Sequence, residues 1–155
     1  MVDDLSRSAC NVAESLILTS QYPNSEIQIY IEVLQNDGAE KAAAINAMSI
    51  ALAHAAIAMR DSVIAVTTGI IDGQVLIDLT TLEVKSQCPV LTIGVRAHDP
   101  HQIVFMEIDA RLQEDVLDKL VESGIQATEE IYGNKVHPFL RELAERSVSL
   151  THAQR

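Results

Sequence analysis

Between Ser62 and Ala110 the chain carries four apolar runs of strand length, SVIAVTTGII, QVLIDLT, CPVLTIGVRA and QIVFMEIDA. Asp72-Gly73 separates the first two, and His98-Asp99-Pro100-His101 separates the last two. An Asp-Gly pair between such runs adopts the positive φ angles of a tight turn and so closes a hairpin. Two hairpins in succession commit this region to a mostly antiparallel sheet. Helical patterns on both sides of it supply packed helices, which makes the fold class α+β.

Upstream, DDLSRSACNVAESLILT reads as a helix over 3–19 on the spacing of Leu5, Val12 and Leu16, and Pro23-Asn24 stops it. Residues 26–34, EIQIYIEVL, alternate, with Ile27, Ile29, Ile31 and Val33 on one face, the pattern of a half-buried strand. A second helix runs through AEKAAAINAMSIALAHAAIAM, with Ile45, Met48, Leu52, Ala56 and Met59 on one face. Nine alanines between 42 and 58 predict close packing against a sheet or another helix. Arg60-Asp61 marks the change of style, so 1–59 and 60–155 are read as separate units. One strand and two helices do not make a sheet, so 26–34 needs a partner from elsewhere. A long helix is predicted from about Glu114, with Leu117, Leu120, Val121, Gly124, Ile125, Thr128 and Ile131 inward. Gly133-Asn134 or Pro138 should end or kink it, before a further helix, PFLRELAERSV, and a polar tail.

Composition narrows the function classes. With 155 residues and 48% apolar content a core can form. The net charge of −11 is spread over both units, with 2 bases against 7 acids in 1–59 and 9 against 15 in 60–155. Neither unit has the clustered cations of a stand-alone nucleic-acid binder. The longest apolar run, within Val63–Ile71, is too short for a membrane-spanning helix. Cys10 and Cys88 stand far apart and read as free thiols of a reducing compartment.

Candidate chemistry is sparse. Asp37-Gly38-Ala39-Glu40 opens a helix, where free N–H groups can hold phosphate. The favoured reading is instead a capping box, with Asp37 as N-cap and Glu40 closing back. Asp72, Asp78 and Glu83 could gather around Mg²⁺, but a solvated turn and strand end are preferred. His98 and His101 read as surface residues of a turn, and His54 as packed or interfacial. No nucleophile elbow, Walker loop or dinucleotide fingerprint occurs.

A combination of short motifs is more specific: Leu34-Gln35-x-Asp37-Gly38, Ala43-x-Ile45-Asn46-Ala47, Met59-Arg60-Asp61, Asp72-Gly73, and the run VFMEIDARLQEDVLDKL. On these, the chain from about Ser15 to Glu145 resembles the RNase PH family, and within it the ring subunits of the eukaryotic RNA exosome. The resemblance implies an RNase PH-like fold: a remainder of a ribosomal protein S5 domain 2-like domain over 1–59, and an RNase PH C-terminal domain over 60–155. It also implies a preceding segment of roughly a hundred residues that would pair with strand 26–34. Its absence from 1–155 would reflect a natural truncation, a misplaced start or a fragment. The isolated chain would then expose a strand edge and self-associate.

The resemblance further implies a degraded active site. Active members have Gly-Gly-Thr-Arg at the helix opening, where phosphate binds. Here Gly38, Ala39, Glu40 and Lys41 stand there, so a hydroxyl has become a carboxylate and a guanidinium an ammonium. Of the aspartate pair of active members, the first aligns with Val84 and the second falls where 85–88 have no acid, leaving Asp78 as a residual acid. Neither a catalytic residue nor a bound metal nor a cofactor is expected. The expected role is a non-catalytic ring subunit, of the type derived from the archaeal catalytic subunit, supporting 3′→5′ RNA degradation and processing, including that of rRNA. Its partners would be other RNase PH-like ring subunits, RNA-binding cap subunits, a separate exoribonuclease and RNA in the assembled channel. Its place would be the nucleus, including the nucleolus, and the cytoplasm. Two alternatives stand beside it: an active phosphate-dependent exoribonuclease, and an acidic protein-interaction module unrelated to RNA.

Overall fold

The computed structural model describes the backbone of residues 2–86 and 88–153 and the side chains of residues 3–86 and 88–146. Its centre is a four-stranded antiparallel sheet in the order β2-β1-β3-β4. β1 is Val63–Ile71, β2 Gln74–Ile77, β3 Val90–Arg96 and β4 Ile103–Ile108. Both predicted hairpins form. Asp72 and Gly73 take φ of 52° and 78°, which lets the strands return in register, Ile71 opposite Gln74. β1 and β3 then join the hairpins, from Val63 opposite Arg96 to Gly69 opposite Val90.

This sheet is covered on both faces, so β1 and β3 are buried almost continuously. Ile64, Val66, Leu91, Ile93 and Val95 lie on one face, under α4 (Glu114–Ile131) with its buried Leu120 and Ala127. Gly124 lets that helix come close: a Cβ there would lie 2.7 Å from Ile93 Cγ2. Val63 and Ala65 lie on the other face, in a core with Ile45, Met48 and Leu52 of α2 (Glu40–His54) and Val12 and Leu16 of α1 (Val2–Leu16).

β2 covers only the far half of β1, from Thr68 onward. The near half borrows partners from α2. Asn46 donates to the Ala65 carbonyl at 2.8 Å and accepts from its N–H at 2.7 Å, and Ser49 Oγ accepts from Val63 N at 3.0 Å. Two polar side chains on a helix thus stand in for a missing strand, as buried backbone groups require.

Three expectations change. Residues 26–34 form no ladder and are not a strand, and only Ile27 and Ile31 of the expected inward face are half-buried, while Ile29 and Val33 are exposed. Ala56 and Met59 fall beyond the end of α2 and are not part of its buried face. The long helix gives way as expected at Gly133-Asn134, which lie in a π-turn, Tyr132–Val136, between α4 and α5 (His137–Ala153), and Pro138 sits in the first turn of α5, where its missing N–H costs little. The polar tail read after Val148 continues as α5 through Ala153, and Gln154 and Arg155 lie outside the described residues.

Candidate functional site

The loop before α2 is built by two left-handed residues. Gly38 has φ of 101° and rests against the Leu79 carbonyl and the Thr80 backbone, with no room for a Cβ. Ala39 follows at φ of 48°. Asn36 Oδ1 accepts from Gly38 N at 3.0 Å, and its amide donates to Glu40. This turn delays the helix, so Ala39, not Asp37, is its N-cap, and no side chain caps it. The expected capping box of Asp37 and Glu40 is therefore absent. Asp37 instead uses its carbonyl to accept from Thr81 N at 2.8 Å, tying the loop to α3 (Thr81–Lys85). A capping box does occur, on α3. Glu83 accepts from Thr80 N at 2.7 Å, and these bonds hold its carboxyl below the ordinary range. The sequence reading of 78–85 as a solvated strand end missed this short helix, although Thr80-x-x-Glu83 carries its signal.

Between the loop, α3 and the α2 face of the sheet lies a cavity of about 340 Å³. Gly38, Ala39, Glu40 and Lys41 all line it, with Thr67, Thr92, Val84, Glu107 and Asp109. Asp78 does not: it is exposed in a left-handed turn, and its N–H donates to the Thr67 carbonyl at 2.7 Å. The Thr67 and Thr92 hydroxyls pair with each other at 3.2 Å on the floor.

Lys41 is the decisive side chain. Its Nζ lies 2.5 Å from Asp4 Oδ2 on α1 and 2.5 Å from Glu107 Oε1 on β4. Partial burial pulls the ammonium down, and the bonds to both carboxylates more than offset it, so its pKa lies above the usual lysine value. Asp4 is held below the usual carboxylate range by the same contact. The charge at the helix opening is spent inside the protein, and Glu40 adds a carboxylate beside it. Phosphate would meet no free cation at Lys41. The residues do not fit Mg²⁺ either. Val84 stands on the cavity wall, Asp78 is outside it, and among the described residues no group of three or more His, Cys, Asp or Glu converges.

Of the histidines, His101 is exposed as expected, and His54 is exposed, not packed, because it sits on the outer side of the last turn of α2. His98 has an exposed ring that is nonetheless pinned. Its Nδ1 lies 2.7 Å from Asp61 Oδ1, and its Nε2 lies 3.2 Å from the Tyr132 hydroxyl. The buried Asp61 carboxylate also accepts from Ser62 N and His98 N. Burial and the Asp61 charge both raise the Tyr132 pKa. Sequence reasoning missed this cluster because Asp61, His98 and Tyr132 are joined only by the fold.

Comparison with known proteins places this geometry. The model described as "3′ exoribonuclease family, domain 1" matches residues 2–58, and domain 2 of that family matches 61–127. Exosome complex component RRP41 of Homo sapiens is 40% identical over 119 residues, 77% of this chain and 48% of that protein. The Mus musculus protein of the same name is 38% identical over 137 residues, 88% of this chain and 56% of its own length. Exosome complex component ski6 of Schizosaccharomyces pombe is 34% identical over 139 residues, covering 90% and 56%. The chain thus spans about half the length of these relatives. Among solved structures, rice Rrp46 superposes with a TM-score of 0.76 at 18% identity, over 87% of this chain and 65% of that one. A chain of the Archaeoglobus fulgidus exosome with RNA bound gives 0.61 at 19% identity, over 83% and 59%. At such identities these likenesses show the fold.

Proposed function

The chain belongs to the 3′ exoribonuclease, or RNase PH, family, and on that premise we propose that it acts as a non-catalytic ring component of an exosome-type RNA-degrading assembly. Relatives named as exosome components support the assembly. The observation that carries the loss of catalysis is the Lys41 ammonium, closed between Asp4 and Glu107 at the helix opening. Phosphorolysis needs preorganised positive charge on the attacking phosphate, and here the Lys41 charge is already neutralised, which leaves Lys85 of α3 as the other cation on the cavity wall. Its partners are other RNase PH-like subunits, with cap subunits that hold RNA and a separate nuclease that cuts it. Its compartments are the nucleus, with the nucleolus, and the cytoplasm.

The test is phosphorolysis of a single-stranded RNA by the purified chain with inorganic phosphate and Mg²⁺. The expected result is no nucleoside diphosphate release. Release that disappears in Lys41→Ala overturns the non-catalytic reading. Affinity purification should recover ring and cap subunits, and their absence would leave an interaction module unrelated to RNA.

A further inference from the structure

Two Asp-Gly pairs occur in the chain, Asp37-Gly38 and Asp72-Gly73, and no Asn-Gly. An aspartate before glycine carries a reaction of its own. Glycine has no side chain to shield its backbone nitrogen, which can attack the carboxyl group of the preceding residue. The attack needs a nitrogen that is not engaged in a hydrogen bond and a peptide that can rotate. On both counts the fold sets the two pairs apart.

At Asp37-Gly38 the peptide is clamped. The Gly38 N–H donates to Asn36 Oδ1 at 3.0 Å, and the Asp37 carbonyl accepts from Thr81 N at 2.8 Å. Gly38 is also pressed against the Leu79 carbonyl and the Thr80 backbone. At Asp72-Gly73 both residues are exposed at the tip of the β1–β2 hairpin. Among the described residues the Gly73 N–H has no hydrogen-bond partner. Nothing lies within 4 Å of where a Gly73 Cβ would stand, so no neighbour resists rotation. Asp72 itself holds a left-handed φ of 52°, a conformation that residues other than glycine adopt at a cost. The turn is closed by its own two strands and lies inside the 61–127 match to domain 2.

We propose that Asp72-Gly73 is a site of isoaspartate formation, whose product is a substrate for an S-adenosylmethionine-dependent methyltransferase acting on isoaspartyl carboxylates. The Gly73 nitrogen bonds to Asp72 Cγ, and the N–H proton leaves with the carboxyl hydroxyl as water. Solvent water then adds to the main-chain carbonyl carbon of Asp72 in the resulting succinimide. That carbon's bond to the Gly73 nitrogen breaks, and the nitrogen regains its proton. The chain now runs through Cγ, with the former main-chain carbonyl as a free carboxylate and the mass unchanged. One more backbone atom in the turn removes the register that sets Ile71 opposite Gln74. The reaction is independent of the ring reading.

The test is ageing of the full chain in warm neutral buffer, then methyl labelling by an isoaspartyl methyltransferase with S-adenosylmethionine and peptide mapping. Label should accumulate on the peptide that holds Asp72 and not on the one that holds Asp37. Ageing in urea should label both, because unfolding releases the clamp on Gly38. Asp72→Glu should lose the label at that peptide, since its longer side chain does not close the five-membered ring. An Asp72 peptide that stays unlabelled in the folded chain overturns the proposal. So does folded protein in which Asp37 is labelled as fast as Asp72.

Discussion

The Lys41 ammonium ties α1, α2 and β4 together through Asp4 and Glu107. Its contribution to stability has two edges in pH. Asp4 lies below its ordinary 3.8, so its share is present above that pH and is lost as pH falls through the lower folded value. Lys41 lies above its ordinary 10.5, so its share is present below that pH and is lost as pH rises through the higher folded value. Lys41→Met should therefore melt below the parent at pH 7, and the two melting curves should converge under acid conditions below 3.8. At Gly38, alanine would bring a Cβ onto the Leu79 carbonyl in a left-handed conformation. Gly38→Ala should cost about 2 kcal/mol or more in urea unfolding. That glycine, and the family motif around it, were legible in the sequence. The two carboxylates on Lys41 were not, because Glu107 is 66 positions away.

At the scale of elements, the joint between α2 and β1 rests on Asn46. Asn46→Ala leaves the Ala65 N–H and carbonyl without their partner and should cost about 3 kcal/mol in equilibrium unfolding. On the opposite face, Gly124→Ala pushes α4 away from Ile93 and should cost about 1–3 kcal/mol. The hairpins, the Asp72-Gly73 turn and the inward face of α4 were all readable, because each is written in local periodicity. The start of α2 was misread, and the passage from α4 to α5 was read as an end or kink without its π-turn geometry. Asn36, Gly38 and the Leu79 carbonyl set the first, and a π-turn that carries Tyr132 onto His98 sets the second.

For the whole molecule, helices on both faces of one sheet should make unfolding a single transition. Circular dichroism and tyrosine fluorescence should report coincident midpoints, since α2 and β1 share hydrogen bonds as well as a core. Hydrogen exchange should separate one region from this unit. Amides of 26–36 should exchange without protection in dilute protein, while those of β1 and β3 exchange slowest.

The sequence by itself determined the antiparallel sheet, the helices that cover it and the family, since strand and helix periods, turn residues and motif spacing are local properties of the chain. Tertiary structure alone decided what becomes of the charge at the helix opening. An ammonium counts as a phosphate ligand or as a spent ion pair according to which carboxylates lie within a few ångströms. Only the packing of α1 and β4 beside α2 brings Asp4 and Glu107 to Lys41. Among the described residues it likewise gives 26–34 no backbone partner, because pairing needs a neighbouring edge and alternation writes only one side of a ladder.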